Sequence, residues 1–192
     1  MFKTKSIMIV GVGGQGTLLA SRIIGSALIS QGFDVKMSEV HGMAQRGGSV
    51  VTYVKYGSKV FSPIVEKAGA DVILAFEELE AARWISYLKP SGTIISNKQK
   101  VNPMPVIIGA AKYPQKLTEK IDNMVENSIS LDALTLAKKA GTYKAVNVVL
   151  IGVMAAVMKE DKNLWLKALE NTVPARFLEM NKMAFELGYT AV

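Results

Sequence analysis

Apolar and β-branched residues crowd into Ser6–Val10, then stop at four glycines spread over six positions: Gly11, Gly13, Gly14 and Gly16. Apolar positions resume at Leu18, Leu19, Ile23, Ile24, Ala27 and Leu28 with helical spacing, which predicts a strand, a glycine loop and a helix over Thr17–Gln31. Gly32 ends that helix, and Phe33–Val40 reads as the second strand. His41–Gly48 (HGMAQRGG) has no apolar periodicity and is rich in glycine, so it reads as a loop. Ser49–Tyr56 (SVVTYVKY) alternates like a strand, turns at Gly57–Ser58 and continues through Lys59–Phe61. No helix intervenes between the second and third strands, which predicts antiparallel character there.

Further along, Ala70–Phe76 is nearly all apolar, as expected of a central strand covered on both faces. Glu77–Leu88 reads as its helix, with Glu77 and Glu78 suited to the positive N-terminal end. Pro90–Gly92 are expected to turn the chain into a strand at Thr93–Ser96, and Pro105–Ile108 reads as a further strand. Gln115–Val125, Leu131–Ala140, Lys144–Met158, Asn163–Leu169 and Pro174–Leu187 read as helical, with Pro174 in a first turn and Gly188 as a C-terminal stop. The fold class is α/β: a three-layer sandwich with a mixed, mainly parallel sheet and a helical C-terminal third. At 192 residues the chain is expected to form one domain, 1–192, with no internal repeat.

Composition narrows the chemistry. There is no cysteine, which excludes disulfides, thiolate-held iron–sulfur clusters and a thiol nucleophile on this chain and fits a reducing cytoplasm. A single histidine argues against a zinc site. The basic start MFKTKSIMIV has too short an apolar run for a signal peptide, and Val146–Val157 is too short to span a bilayer, so no membrane role is expected. That run reads instead as a helix buried in a core or at a subunit interface. The net charge of +7 comes from scattered lysines without a basic block, which points to a solvated surface, then an anionic small ligand or acidic partner, and away from nucleic acid.

Three features could carry a ligand. A strand, a glycine loop and a helix in that order present free amides and the positive helix end to an anion, although glycine also serves merely to turn tightly. Thr17 adds a hydroxyl there, as a helix cap or as a phosphate contact. The second loop brings Glu39, His41, Gln45, Arg46, Gly47 and Gly48. Glu39 lies 23 residues past Gly16, close to where a Rossmann protein places its ribose-binding acid. Arg46 with the paired glycines offers equipment for a phosphate or carboxylate, or else a solvated or intersubunit arginine. His41 could act in acid–base chemistry or simply bond its loop. Asn147 is the one polar side chain inside Val146–Val157, so it must find partners in a loop carbonyl, a ligand or another subunit. There is no paired-carboxylate signature, no GxSxG, no metal-ligand spacing and no diphosphate–magnesium motif of thiamine enzymes. The residues therefore read as equipment to bind and present rather than to break bonds. A free-standing Rossmann-like nucleotide-binding protein or NAD-dependent dehydrogenase is the alternative, and the antiparallel segment after the second strand argues against it.

The stretches GVGGQGTLLASRIIG, SEVHGMAQRGGSV, YVKYG, ADVILAFEELEAARW, YLKPSGTIISN, KAVNVVLIG and PARFLEMNKMAFELGY resemble the gamma-type domain of 2-oxoacid:ferredoxin oxidoreductases. The likeness is strongest to the small subunits of the indolepyruvate enzymes and covers nearly the whole chain, HGMAQRGGSV being its most specific part. The resemblance implies an enzyme subunit in oxidative decarboxylation of aryl 2-oxoacids to acyl-CoA with ferredoxin reduction. It places thiamine diphosphate, Mg2+ and iron–sulfur clusters on a large partner subunit, with ferredoxin reached through the complex. It assigns coenzyme A contacts to Gly13, Gly14, Gln15, Gly16 and Thr17, to Gln45, Arg46, Gly47 and Gly48, and to Asn147. Glu39 and His41 are left to shape the loop or the subunit interface.

Overall fold

The computed structural model describes residues 3–42 and 47–192. The candidate residues Gln45 and Arg46 lie outside the described residues. Six strands form one sheet: β1 (Lys5–Val12), β2 (Asp34–His41), β3 (Ser49–Gly57), β4 (Ala70–Ala75), β5 (Leu88–Asn97) and β6 (Ser128–Leu131). They lie in the order β2-β3-β1-β4-β5-β6. β3 runs antiparallel to both β2 and β1, while β1, β4, β5 and β6 are mutually parallel. The hairpin expected from the missing helix is thus present, and its return strand is wedged between β2 and β1.

Strand periodicity divides the core in two. Ile7, Ile9, Val54, Leu74 and Ile95 project to one face, and Met8, Val10, Tyr53, Ile73 and Ile94 to the other. Over the first face lie α1 (Thr17–Ser30) and the C-terminal helices α5 (Ala133–Lys139), α6 (Val146–Met158), α7 (Lys162–Thr172) and α8 (Ala175–Tyr189). Over the second lie α2 (Glu78–Trp84) and α4 (Leu117–Met124), through Ala81 and Ile121. The sandwich therefore has three layers. α1 leaves β1 on one face and α2 leaves β4 on the other, so the chain switches sides between these two neighbouring strands. Open α/β sheets bind ligands in the crevice at the carboxyl ends of such a pair.

α6 settles the reading of the long apolar run. Residues Asn147–Ala155 are all buried, against the sheet and α8 rather than at a surface. Its contact with α8 is made by two glycines. A methyl at Gly152 would stand 2.2 Å from the Phe185 carbonyl oxygen, and one at Gly188 would stand 2.0 Å from that of Val149. Gly188 lies within α8, so it is a packing residue and not the helix stop expected from sequence.

Four local expectations change. Pro105–Ile108 is not a strand but the short helix α3 (Met104–Ile107), introduced by Pro103; a short apolar run bounded by prolines suits a first helical turn as well as a strand. Lys59–Phe61 does not prolong β3, since Asp34 Oδ2 accepts the Val60 N–H at 2.8 Å and draws the chain away from the ladder. Pro90–Gly92 stand inside β5, where the pairing steps from Ala70–Leu88 to Val72–Thr93 and the surplus residues form a bulge. Leu131 closes the edge strand β6 rather than opening a helix, and Asp132 caps α5 by accepting the Thr135 N–H at 3.0 Å.

Candidate functional site

The glycine loop follows β1 and sits where the chain switches faces. Gly14 and Gly16 have φ of 102° and 83°, in the left-handed region that favours glycine. Gln15 between them fastens the loop to the sheet: its Oε1 accepts the Val12 N–H at 2.7 Å, and its Nε2 donates to the Phe76 carbonyl at 3.1 Å. Gly11 leaves room for this amide, because a methyl there would come within 2.8 Å of Gln15 Oε1. Gln15 is thus first a suture between β1 and the end of β4, joined by Gln99 Oε1 at 3.4 Å.

The second loop returns to the first. Gly13 N–H donates to the Gly48 carbonyl at 2.8 Å, and Gly47 N–H to the Gly13 carbonyl at 3.3 Å. The two glycine loops, separate in the sequence, are thus one structure in space. The antiparallel course of β3 explains this, because Ser49 pairs with Val12 and delivers Gly47 and Gly48 beside the carboxyl end of β1.

Asn147 reaches the same loop from the other side. Its Nδ2 donates to the Gly16 carbonyl at 3.3 Å, and its Oδ1 accepts the Val148 N–H at 2.9 Å. The polar residue in the buried helix therefore meets a loop carbonyl. Gly16 itself caps α1 in a left-handed conformation with no side-chain cap, and no acidic residue stands in the first turn. Thr17 is not that cap: its hydroxyl donates to Glu39 Oε2 at 3.4 Å, which also accepts from Thr52 at 3.1 Å.

Two clefts flank the glycine loop. One, of about 360 Å³, is lined by Gly13, Gly14, Thr17, Glu39 and His41 among others. His41 is exposed, its Nδ1 3.2 Å from the Gly42 carbonyl oxygen. The other, of about 430 Å³, is lined by Gly14, Gln15, Gln99, Tyr143, Lys144 and Asn147 among others. The two differ in charge. Glu39 carries a carboxylate into the first, whereas the second has a lysine and three amide side chains and, among its lining residues, no carboxylate. A phosphate is repelled by the former and attracted by the latter. Lys144 and Tyr143 are site residues that sequence reading missed. Their position three and four residues before Asn147, at the start of the helix that Asn147 enters, was the available signal. Beside the second cleft the buried carboxylates of Glu77, Glu78 and Glu80 are each paired, Glu80 with the Ser49 hydroxyl, Glu78 with Thr118 and Glu77 with Tyr113.

A family model described as pyruvate ferredoxin/flavodoxin oxidoreductase matches residues 6–191. The chain belongs to the pyruvate ferredoxin/flavodoxin oxidoreductase family. It is an oxidoreductase subunit of that family. The indolepyruvate oxidoreductase subunit IorB of Thermococcus kodakarensis is 38% identical, with 98% of this chain and 96% of that one aligned. The fold recurs in the pyruvate oxidoreductase subunit PORC of Thermotoga maritima, at a TM-score of 0.73 and 19% identity over 97% of this chain and 96% of that one. It recurs again in a 2-oxoglutarate:ferredoxin oxidoreductase from Magnetococcus marinus, solved with 2-oxoglutarate, coenzyme A and succinyl-CoA bound. There the TM-score is 0.72 at 19% identity, and the match covers 97% of this chain but 30% of that one. Among the described residues no group of three or more His, Asp or Glu is placed to hold a metal ion, and no helix is long and apolar enough to cross a membrane.

Proposed function

We propose that this chain, as one gamma-type domain, is the small subunit of a cytoplasmic indolepyruvate-type 2-oxoacid:ferredoxin oxidoreductase and helps to bind coenzyme A. The observation that supports this reading is the convergence of both glycine loops and Asn147 at one helix start with no side-chain cap, beside a cleft whose only charge among its described lining residues is Lys144. Phosphates there meet the N–H groups of the first turn of α1, its positive end and an ammonium. Gly14, Gln15 and Gly16 line this cleft, Asn147 holds Gly16 in place, and Gly13, Thr17, Gly47 and Gly48 belong to the two loops that meet there. Gln45 and Arg46, outside the described residues, are proposed as further phosphate contacts. Lys144 is added as the cation of the second cleft.

Thiamine diphosphate, Mg2+ and iron–sulfur clusters do not fit the residues of this chain, which has no cysteine and no clustered metal ligands among its described residues. They are assigned to the large subunit, as is contact with ferredoxin. The work left to this subunit is positional. Holding the phosphates and pantetheine arm fixes where the thiol of coenzyme A arrives, and correct placement of a second reactant is worth a large share of a barrier without bond chemistry by the residues that place it.

Reconstitution tests the reading. The large subunit should oxidise arylpyruvates to acyl-CoA with ferredoxin reduction only when this chain is added. Full coenzyme A-dependent turnover by the large subunit alone would remove the proposal.

A further inference from the structure

Between β5 and α4 the chain leaves the sandwich and makes an arm over residues 102–112. Three large apolar side chains on it are largely exposed: Met104 at 65%, Ile107 at 65% and Ile108 at 69%. Apolar side chains gain by leaving water, so a cluster this exposed is costly unless something covers it.

The arm is held rigidly at its base. Glu77 is buried at the end of β4, and its Oε1 accepts both the Val101 N–H at 3.0 Å and the Tyr113 hydroxyl at 2.5 Å. Its Oε2 accepts the Glu80 N–H at 2.9 Å, tying the same carboxylate to the start of α2. One side chain therefore clamps the two ends of the arm together. Burial and the neighbouring Glu77 push the Tyr113 hydroxyl well above its ordinary titration range, so the clamp keeps its proton. An apolar tip on a fixed base is pre-organised for contact, with little ordering left to do.

Charge defines what the tip meets. Lys98, Lys100, Lys112, Lys116 and Lys120 are exposed in and beside the arm; Glu78 pairs with Lys100 at 3.9 Å and Glu119 with Lys116 at 3.5 Å, so the stretch keeps an excess of positive charge. The arm also springs from beside Gln99, which lines the second cleft. In the Magnetococcus enzyme the same fold is 30% of a longer chain, whereas the IorB relative is almost wholly covered by this one. On the small-subunit reading no tether supplies a high effective concentration, so surface contact holds the partner.

We propose that the arm docks, tip first, into an apolar pocket with an acidic rim on the large subunit. This rests on the small-subunit reading above. The lysine collar meets the rim, Met104, Ile107 and Ile108 fill the pocket, and the Glu77 clamp holds the arm at the edge of the coenzyme A cleft.

The test compares binding of the full chain and its variants to the purified large subunit. Ile107→Asp with Ile108→Asp should weaken the complex about 30-fold or more, as for loss of a central anchor. Met104→Asp should act in the same direction, and Lys98→Glu with Lys112→Glu should weaken binding most at low salt. Because these side chains are exposed, the variants should melt with the wild-type chain. If wild type fails to bind the large subunit, the small-subunit reading falls and takes this one with it. If wild type binds and the arm variants bind equally, the arm alone is overturned. It is equally overturned if the double variant leaves the complex intact but dissolves a dimer of the free chain, or abolishes its binding to anionic vesicles.

Discussion

Replacing Gly188 by alanine is expected to cost the fold about 3 kcal/mol or more, a larger loss than one added methyl usually causes. The reason is a backbone-to-backbone contact. A Cβ on Gly188 would stand 2.0 Å from the Val149 carbonyl oxygen in α6, and the nearest atoms on that side are all main chain. No rotamer change relieves that overlap, so α8 must move away from the helix that fills the centre of the first core. The mirror substitution, Gly152→Ala, meets the Phe185 carbonyl at 2.2 Å and the Tyr189 nitrogen at 2.8 Å. The two losses should not add, because either one already separates the helices. Urea unfolding measures them, with Gly42→Ala as a control: nothing among the described residues stands within 4 Å of a Cβ there, and a change below about 0.5 kcal/mol is expected. A loss under about 1 kcal/mol for Gly188→Ala would mean that the α6–α8 crossing is not the fixed element described.

Gly16→Ala is expected to raise the KM for coenzyme A in the reconstituted complex by about tenfold or more, while the complex still assembles. Alanine resists the φ of 83°, at about 1 kcal/mol, and its methyl would press to 2.8 Å on Asn147 Nδ2. The amide would have to leave the Gly16 carbonyl, and the first turn of α1 would lose the geometry that aims its amides at an anion. Because the loop lies at a helix start rather than in the core, the effect should fall on ligand affinity more than on the melting temperature. An unchanged KM with a lowered melting temperature would make the loop a structural turn, the plainer reading that any glycine loop invites.

Much of this was legible in sequence because local pattern and tertiary role agree. The alternation in SVVTYVKY announced β3, and the absent helix before it announced its direction. The glycine loop and Asn147 stood out for the same reason: each breaks the pattern around it, and each break is a contact between the two. What stayed hidden depends on distant partners. Gly188 looks like a helix stop until α6 is seen lying against it. Pro105–Ile108 looks like a strand because its apolar residues suggest burial, and nothing local says they are displayed instead. Glu77 and Glu78 read as helix-end acids and are so, Glu77 capping α2, but its second role as the clamp of the arm was hidden. Lys144 lacks any motif and acquires meaning only from the cleft that the loop and α6 enclose together.

This subunit, and not only its partner, is proposed to hold coenzyme A. The most direct measurement is calorimetric titration of coenzyme A into the assembled complex carrying wild-type chain, Lys144→Ala or Arg46→Ala. Loss of a charge-assisted bond to phosphate should weaken affinity about 10-fold to 100-fold in each variant. Affinity equal to wild type in both variants would contradict it and leave the chain as a scaffold for the large subunit.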